Sequence, residues 1–322
     1  MRVLAVVPGS AEGKIMIFAK RQVAALKGRK HDVAEFYVAD RVSPLAVLGE
    51  YRRLRQKIEE FKPEIVHAHY GTVTALLVVV ASGRVPSVVT FRGSDLNPSE
   101  AVSRFRSIVG RFISQVSALF ATRVVCVSAN LAASLWVRSH KVAVIPSGVD
   151  LKAFRPMDYQ ESRLRLGFAP ATPLLVFNCG GDPWVKNLAL AEKVFAEVRK
   201  KMGNVEFEIM RSNWRPEDVP SLFSAADCLL VVSRYEGSPN VVKEAMACNL
   251  PIVSVDVGDV RQRLERVENC FVVDAAPEVL ADQVVQVLAK RDRSNGRIHC
   301  QEFSQTEVLD RLERVYVDSI ES

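Results

Sequence analysis

Two carboxylates, Glu236 and Glu244, lie eight positions apart in the stretch YEGSPNVVKEAMACNLP. The first belongs to a Gly-Ser-Pro-Asn turn, and the second lies inside the helix pattern NVVKEAMA that follows an apolar strand pattern, DCLLVVS. Helical side chains lean toward the N-terminus of their helix, so we expect the Glu244 carboxylate to reach the start of that helix. Carboxylates placed on either side of one turn can accept hydrogen bonds from sugar hydroxyl groups.

The turn itself has the composition of an anion-binding helix start. Ser238 is expected at the N-cap and Pro239 at the first helical position. The amides of Asn240 and Val241 would then lack intrahelical partners and could receive a phosphate. Gly237 lets the backbone approach a ligand closely. The pattern suits a nucleotide-sugar, although a solvated loop acid and a dipole-complementing helix acid would show the same spacing.

Short apolar strand patterns alternate with longer helical patterns along the chain. The strand patterns are RVLAVV, EIVHAH, SVVTF, RVVCVS and VAVIP in the first half and PLLVFNC, VEFEIM, DCLLVVS and PIVSVDV in the second. Continuous apolar strands separated by helices predict parallel sheets covered on both faces. The sequence therefore predicts an α/β protein of two doubly wound, Rossmann-like domains that face each other across a ligand-binding cleft.

A change in charge divides the chain in the same way. Residues 1–157 carry 23 Lys and Arg against 11 Asp and Glu, whereas residues 158–322 carry 20 against 26. We expect a first domain over residues 1–155, a second domain over 156–303, and a final helix over 304–322 whose apolar face needs a surface to cover. The linker is placed in SGVDLKAFRP, residues 147–156. The basic first domain favours an anionic partner such as a phospholipid surface, a nucleic acid or a phosphorylated substrate.

Other properties narrow the class of protein. The six cysteines form no C-x-x-C pair, and several lie in apolar runs, which predicts reduced, buried thiols in a cytosolic protein. The N-terminal stretch is broken by Pro8 and Gly9 too early for a signal peptide. We therefore expect a cytoplasmic protein with at most a peripheral contact at the inner face of the plasma membrane. No nucleic-acid-binding motif accompanies the basic half, which disfavours a nucleic-acid partner.

The region SRYEGSPNVVKEAMACNLPIVSVDVGDV resembles the E-x7-E region of the GT4-type retaining glycosyltransferases, which have the GT-B fold. Further segments resemble that family in the same order along nearly the whole chain: VTFRGSDL, VVCVSANLAASL, VAVIPSGVDLKAFRP, CGGDPWVKNLALA and FSQTEVLDRLERVY. The resemblance implies a retaining glycosyltransferase. It would move a sugar from a nucleoside diphosphate sugar, UDP in preference to GDP, to a cell-surface glycan or glycolipid acceptor. The GT-B fold implies that residues 1–155 form the acceptor-side domain and residues 156–303 the nucleotide-sugar donor domain. The helix over 304–322 would cover the domain junction and pack back toward the first domain.

The resemblance also implies roles for individual residues. Glu236 would contact the donor sugar, Glu244 would hold the ribose, and Lys186 would neutralise the departing diphosphate. The predicted phosphate-binding turn consists of Gly237, Ser238, Pro239, Asn240 and Val241. A lysine and a helix start can stabilise the leaving group without a metal, and the sequence contains no D-x-D pair. The acceptor hydroxyl would attack from the face that the diphosphate leaves, so neither a protein nucleophile nor a cofactor is required.

Two positions depart from the family pattern. Gly181 stands where the family usually has an arginine five residues before the lysine, so one phosphate partner is missing unless Arg211 or Arg92 supplies the charge. Arg92 also replaces the histidine of the family's H-G pair, ahead of Gly93. A guanidinium cannot act as a base, but it can bind phosphate near the reacting groups. These departures leave a second function open, that of a non-catalytic nucleotide-sugar-binding or partner subunit on the GT-B fold.

The first domain offers weaker signals. Gly13, in the loop after the first strand, matches a family glycine that lets the backbone approach the donor, and an ordinary loop glycine is the alternative. Lys14 and His69 are assigned to the acceptor side together with Gly93, although a packed histidine at the sheet edge would also explain His69. His67 and His69 form an H-x-H pair, but no third ligand at a metal-site spacing accompanies them, which disfavours a metal.

The stretch SRFRSIVGRFISQVSALFA, residues 103–121, predicts a helix with one apolar stripe. The stripe consists of Phe105, Ile108, Phe112, Val116 and Leu119. A core-facing amphipathic helix with a solvated basic edge is the favoured interpretation. A peripheral helix that touches an anionic membrane is the alternative.

Overall fold

The computed structural model describes residues 1–13, 16–98, 103–137, 139–211 and 213–322. The chain forms two compact units. The first contains Met1–Gly148 and Gln305–Ser322, and the second contains Val149–Ser304. The chain passes from one unit to the next inside the glycine- and proline-bearing segment 147–156. Each unit has its own parallel sheet and its own buried apolar core.

The first unit is built on six parallel strands in the order β2-β1-β3-β4-β5-β6. The strands are β1 Arg2–Pro8, β2 Asp32–Val38, β3 Ile65–Ala68, β4 Ser87–Phe91, β5 Arg123–Cys126 and β6 Val142–Val144. The helices are α1 Ile17–Lys27, α2 Pro44–Phe61, α3 Thr72–Ser82, α4 Arg104–Phe120, α5 Ala129–Ala133 and, from the end of the chain, α13 Gln305–Ile320. The chain adds β2 on one side of β1 and β3 on the other. The carboxyl ends of β1 and β3 therefore form a topological switch point, where open α/β sheets bind ligands.

The second unit has five parallel strands in the order β11-β10-β9-β7-β8. The strands are β7 Leu174–Asn178, β8 Glu206–Met210, β9 Cys228–Val231, β10 Ile252–Ser254 and β11 Phe271–Val272. The helices are α6 Tyr159–Leu166, α7 Pro183–Lys186, α8 Leu188–Met202, α9 Val219–Ala225, α10 Asn240–Ala247, α11 Val260–Leu264 and α12 Pro277–Lys290. The switch point of this sheet lies between β7 and β9, which are hydrogen-bonded neighbours.

These sheets confirm the predicted α/β class and the packing of the final helix on the first unit. The inner face of α13 joins the same apolar cluster as residues of the central strands of the first unit. Its buried apolar residues are Val308, Leu309, Leu312, Val315 and Tyr316. Burying an aliphatic side chain of this size stabilises the fold by roughly 1.5–3 kcal/mol. Ile320, the last residue of the helix, is exposed.

A buried ion pair fixes the base of the second sheet. Asp227 precedes β9, and its Oδ2 accepts a hydrogen bond from Arg163 Nη2 at 2.6 Å and another from the backbone amide of Leu174 at 2.7 Å. Arg163 is completely buried and also donates to the carbonyl oxygens of Ala225 and Thr172. The pair therefore aligns the amino ends of β7 and β9, and their carboxyl ends emerge side by side.

The expected orientation of α4 is wrong. Four residues of the predicted stripe are exposed and Val116 is half-buried, whereas the buried residues of the helix are Ser114, Gln115, Ser117 and Ala118. The four exposed residues are Phe105, Ile108, Phe112 and Leu119. The reason is the close approach of α3. The amide of Thr72 donates to Ser114 Oγ at 2.8 Å, and a Cβ atom added to Gly71 would lie 2.6 Å from the same oxygen, so the inner face of α4 accommodates small side chains. Among the described residues no helix is both long and apolar enough to cross a membrane.

Candidate functional site

The short helix α7 places Lys186 beside the carboxyl end of β7. Asp182 begins the helix, because its side chain accepts a hydrogen bond from the amide of Val185 at 3.0 Å, and Pro183 occupies the first turn. The helix ends after one turn at Asn187, which has a left-handed conformation with φ 60°. Lys186 is therefore held at the switch point of the second sheet.

Lys186 forms an ion pair with Glu236, which lies in the turn after β9. The Lys186 ammonium donates to Glu236 Oε1, and Ser233 Oγ donates to the same oxygen at 2.9 Å. The amide of Arg234 donates to the carbonyl oxygen of Val185 at 2.8 Å, which ties the two loops together. The Lys186 and Glu236 side chains keep 22% and 14% of their surface exposed. The pair is thus largely desolvated and still reachable by a ligand.

The start of α10 differs by one residue from the prediction. Pro239 takes the N-cap position, with φ −65° and ψ 119°, and the helix begins at Asn240. Ser238 was expected to cap the helix through its hydroxyl, but that hydroxyl accepts a hydrogen bond from the buried ammonium of Lys243 at 3.2 Å. The predicted N-cap is therefore wrong, since Lys243 engages the Ser238 side chain.

An unsatisfied polar atom lies at the same helix start. Asn240 Oδ1 is buried and has no hydrogen-bond partner. The amides of Asn240 and Val241 belong to the first turn of α10, where backbone N–H groups have no intrahelical acceptor. A carboxamide can offer either an acceptor or a donor to a ligand. Gly237 to Val241 thus bring polar groups and the positive end of a helix together at the switch point.

A second glycine turn supports the one that carries Glu236. Gly258, after β10, has φ 60°. A Cβ atom added there would lie 3.0 Å from the carbonyl oxygen of Gly237 and 3.1 Å from Glu236 Cβ. Only glycine accommodates both the left-handed conformation and this proximity. The turn after β10 therefore fixes the shape of the Glu236 turn.

A second positive charge acts on the end of β7, next to the loop of Lys186. Burial raises the pKa of the Cys179 thiol there; the positive charges of Arg211 and Lys186 oppose that rise, and the charges of Glu192 and Asp182 add to it. Both cations therefore act on the same strand end, where Gly181 is exposed and has open space at its Cβ position. Glu244, in the middle turn of α10, is half-buried.

Sequence reasoning missed an aromatic pair beside the Lys186–Glu236 pair. Trp184 and Tyr235 lie with their ring centroids 6.1 Å apart, and the guanidinium carbon of Arg234 lies 5.1 Å from the centroid of the Trp184 ring. The sequence contains a signal that could have identified the pair, because Trp184 stands two places before Lys186 and Tyr235 one place before Glu236. Aromatic faces of this kind can stack on a base or a sugar.

In the first unit, Arg92 is held by neutral acceptors. Its Nε donates to the carbonyl oxygen of His69 at 3.1 Å, its Nη1 to Ser147 Oγ at 3.0 Å and its Nη2 to Gln22 Oε1 at 2.8 Å. Burial lowers the pKa of Arg92 to about 10, and the charge of Asp95 opposes this change. The guanidinium stays protonated at neutral pH and carries a charge that its direct partners do not compensate.

Asp95 instead organises the backbone around Arg92. Its carboxylate accepts hydrogen bonds from the amides of Arg92, Gly93 and Gly71 at 2.8–3.1 Å. Gly93 has φ 135°, a conformation that glycine adopts readily. A Cβ atom added to Gly71 would lie 2.6 Å from Ser114 Oγ, so glycine is required there as well.

His67 and His69 are both completely buried and stack with ring centroids 3.9 Å apart. His67 Nδ1 lies 2.6 Å from the Tyr316 hydroxyl and its Nε2 lies 2.7 Å from Thr90 Oγ1. Burial lowers the pKa of His67 to about 3, and burial together with the charges of His67 and Arg92 lowers the pKa of His69. Both rings are therefore neutral, and the described residues contain no cluster of three potential metal ligands.

The tautomer of His69 follows from Arg92. An arginine only donates, and Arg92 Nη2 lies 3.3 Å from His69 Nδ1, so that nitrogen accepts and the proton resides on Nε2. His69 Nε2 is buried and has no partner. The structure thus places His69 beneath the surface, where it supports Arg92.

The loop after β1 wraps around Lys20. The ammonium of Lys20 donates to the carbonyl oxygens of Ser10 at 2.7 Å, of Ala11 at 3.1 Å and of Gly13. A Cβ atom added to Gly13 would lie 2.9 Å from Ser10 Oγ, so the loop conformation requires space there. Lys14, predicted on the acceptor side, lies outside the described residues.

Two family models match the chain. The model described as glycosyltransferase family 4 matches residues 14–153, and the model described as glycosyl transferases group 1 matches residues 180–290. Together these matches cover most of the chain and both units. The chain therefore belongs to the family 4 glycosyltransferases and has the GT-B fold.

Curated relatives are similar along most of their length. One is the UDP-Gal:alpha-D-GlcNAc-diphosphoundecaprenol alpha-1,3-galactosyltransferase of Escherichia coli, 23% identical over 85% of this chain and 79% of the relative. Another is the putative teichuronic acid biosynthesis glycosyltransferase TuaC of Bacillus subtilis, 24% identical over 71% of this chain and 62% of the relative.

Solved structures show the same fold. Sucrose-phosphate synthase from Thermosynechococcus elongatus has a TM-score of 0.76 and 18% identity, with 99% of both chains covered. HepE from Anabaena, solved in complex with UDP, has a TM-score of 0.73 and 18% identity, with 99% of this chain and 100% of HepE covered.

Proposed function

We propose that this glycosyltransferase moves a sugar, with retention of anomeric configuration, from a UDP-sugar to a lipid-linked or cell-surface glycan acceptor. The observation that carries the proposal is the Lys186–Glu236 ion pair beside the start of α10, at the switch point of the second sheet. The HepE complex supports UDP over GDP as the nucleotide. The E. coli relative, which is named as a galactosyltransferase that acts on a GlcNAc-diphosphoundecaprenol, supports a lipid-linked acceptor.

Lys186 and Glu236 can each exchange the other for a group of the donor when a nucleotide-sugar binds. A diphosphate at the start of α10 would attract the Lys186 ammonium and leave the Glu236 carboxylate to accept hydrogen bonds from sugar hydroxyls. The pair is already largely desolvated, so its charges interact with a ligand more strongly than they would in water. Preorganised charge of this kind stabilises a departing diphosphate.

The transfer step needs no protein nucleophile. The acceptor oxygen forms a bond to the anomeric carbon on the face from which the diphosphate leaves, and the bond from that carbon to the phosphate oxygen breaks. The acceptor proton passes to the departing phosphate oxygen. Lys186 and the amides of Asn240 and Val241 hold the negative charge that develops, without a metal ion.

Arg211 is our candidate for the phosphate partner that Gly181 does not provide. It acts electrostatically on the same strand end as Lys186. Arg92 is less suited to that role, because its guanidinium already donates to His69, Ser147 and Gln22. We propose that Arg92 serves the reaction as a fixed positive charge on the acceptor side.

The remaining donor contacts follow from α10 and its neighbours. Glu244 is proposed to accept hydrogen bonds from the ribose hydroxyls, and the unsatisfied Asn240 carboxamide lies at the same helix start. Trp184 and Tyr235 offer aromatic faces for stacking on the base or the sugar. Gly13 and Gly93 are proposed as points of close backbone approach to substrate, the first on the donor and the second on the acceptor side.

We further propose that the protein works in the cytoplasm and contacts the inner face of the plasma membrane peripherally. The first half of the chain is basic, and the acceptor of the E. coli relative carries an undecaprenol lipid. A basic surface attracts anionic headgroups and would bring the enzyme to a lipid-linked acceptor.

A non-catalytic nucleotide-sugar-binding subunit is the second candidate. Two observations favour it: Gly181 leaves one phosphate partner absent, and the always-charged Arg92 replaces a family histidine. Native mass spectrometry with UDP-, GDP- and ADP-sugars, followed by a search for transfer products in lipid-linked glycan extracts, separates the two. We expect UDP-sugar binding and product formation. Binding without product or donor hydrolysis would favour the second candidate, and absence of any nucleotide binding would contradict both.

A further inference from the structure

The outer surface of α4 is apolar over its whole length. With 3.6 residues per turn, the exposed apolar positions fall on one contiguous arc of about a third of the helix circumference. The most exposed are Phe105 at 75%, Phe120 at 71%, and Ile108 and Phe112 at 57% each. Leu119 and Val109 lie on the same arc and are also exposed. Helices of globular proteins show the opposite arrangement, with the apolar stripe facing the core.

The opposite face of α4 explains why this arrangement is stable. It presents Gly110, Ser114, Ser117 and Ala118 to the rest of the first unit. Ser114 Oγ donates to the carbonyl oxygen of Asp95 at 2.8 Å, and Ser117 Oγ donates to the carbonyl oxygen of Ile113 at 2.7 Å. These residues are small, and the hydroxyl groups of the two serines are hydrogen-bonded. They allow the helix to pack closely on the first unit, so the large side chains remain on the outside.

A tryptophan extends the apolar surface. The rings of Phe112 and Trp136 meet edge to face at a centroid distance of 5.9 Å, and Trp136 is 60% exposed. Gln115 holds the Trp136 loop in place, because its Oε1 accepts from the Trp136 amide at 2.9 Å and its Nε2 donates to the carbonyl oxygen of Ser134 at 2.8 Å. The amphipathic ring of tryptophan favours the boundary between water and lipid.

Positive charge borders the apolar arc. Arg104 and Arg111 flank one side of it and Arg106 the other, and the 17 residues of α4 include no Asp or Glu. Burial lowers the pKa of Arg41, just before α2; the charge of Tyr70 opposes that shift, and the charge of Arg106 adds to it. Two neighbouring arginine charges repel each other, and an anion placed beside them would relieve that repulsion.

The start of α2 is also apolar and exposed. Val42 follows Arg41 directly, Leu45 lies three places further on, and both expose most of their surface. The charge of Arg106, in the first turn of α4, acts on Arg41, which directly precedes this segment. Exposed apolar side chains of the first unit thus lie on more than one element.

We propose that the outer face of α4, with Trp136 and the start of α2, docks on an anionic phospholipid surface. The proposal names the surface for the membrane contact in the proposed function and rests on that function for its purpose. Phenylalanine, tryptophan and leucine on one side and arginine at the edges are the composition of helices that lie in a membrane interface. A second copy of the chain fits less well, since a two-fold interface on this face would bring arginine against arginine.

The test is sedimentation of the full chain with two kinds of vesicle, one of phosphatidylcholine alone and one of equal parts phosphatidylcholine and phosphatidylglycerol. We expect binding to the anionic vesicles to be at least about tenfold stronger and to weaken as salt is added. The double variant Phe105→Ala/Phe120→Ala should bind at least about tenfold more weakly, because both rings would leave the interface. Brominated lipids should quench tryptophan fluorescence in the unmodified chain and less in Trp136→Phe.

The matched control is Leu164→Ala/Ile298→Ala, which removes two exposed apolar side chains from the second unit and should leave vesicle binding unchanged. UDP binding is measured for every variant, so that loss of the surface is distinguished from loss of the fold. Vesicle binding without UDP binding by the unmodified chain would contradict the proposed function alone. Equal vesicle binding by Phe105→Ala/Phe120→Ala and the unmodified chain, or no vesicle binding at all, overturns the surface proposal. A dimer that this double variant dissociates, with vesicle binding unchanged, assigns the face to a second copy instead.

Discussion

Lys186 and Glu236 stand 50 positions apart in the sequence, yet the lysine ammonium donates directly to the glutamate carboxylate. They meet because β7 and β9 are neighbours in the sheet, although β8 separates them along the chain. The pair joins the two loops at the switch point of the second unit. A nucleotide-sugar could separate the two charges, because its anionic diphosphate would attract the Lys186 ammonium and its neutral hydroxyls could donate to the Glu236 carboxylate.

The first prediction concerns Glu236. Glu236→Gln keeps the size of the side chain and removes its charge, so kcat/KM for transfer should fall at least about a hundredfold. Thermal unfolding should change little, since Ser233 can still donate to the remaining side-chain oxygen. Transfer assays with a UDP-sugar check this result. Near-normal turnover of Glu236→Gln would refute the role assigned to Glu236.

The second prediction concerns the ribose. Glu244→Ala should weaken UDP binding about 10- to 100-fold, because hydrogen bonds to a charged group contribute about 1.5–3 kcal/mol. Titration calorimetry with UDP measures the change. Glu278→Ala, which removes an exposed acid from the first turn of α12, is the matched control and should leave UDP affinity unchanged. If both variants bind UDP like the unmodified chain, Glu244 does not hold the ribose.

The third prediction separates Arg211 from other surface arginines. Arg211→Ala should weaken binding of UDP more than that of uridine, since only UDP carries the diphosphate. Arg215→Ala is the control, because Arg215 is exposed and pairs with Asp218 on the surface. Equal losses for UDP and uridine in Arg211→Ala would place Arg211 away from the phosphates.

The fourth prediction concerns pH. The pKa of His67 is lowered from the usual 6.5 to about 3 by burial, so the unfolded chain binds a proton that the folded chain does not. Stability from this residue is therefore complete above about pH 6.5 and is lost as the pH falls toward 3. Urea unfolding at pH 7 and pH 5 should show lower stability at pH 5. In His67→Gln the difference should be smaller, and an unchanged difference would contradict the assignment.

The sequence predicted the parts of the fold that follow from continuous apolar strands. Each strand pattern singled out, from RVLAVV to PIVSVDV, forms a strand. Strand β2 carries Asp32 and Glu35 at the edge of its sheet and lacks such a run, and β11 contains only two residues, so neither was recognised. The final helix packs on the first unit as its apolar spacing indicated.

Side-chain partners were less predictable, because they depend on neighbours distant in sequence. The predicted N-cap at Ser238 was wrong, because the Ser238 hydroxyl accepts a hydrogen bond from Lys243. The predicted orientation of α4 was wrong. Periodicity in the sequence shows that a helix has an apolar face, but only the packing against α3 shows which face lies inside. The roles of Lys186, Glu236 and Glu244 remain predictions, now with a geometry that supports them.

The most direct measurement is a crystal structure of the protein with bound UDP. The account predicts that the diphosphate lies against the amides of Asn240 and Val241 with Lys186 Nζ within hydrogen-bonding distance, and that the ribose hydroxyls contact Glu244. A diphosphate bound away from the start of α10, with the Lys186–Glu236 pair unchanged, would contradict it.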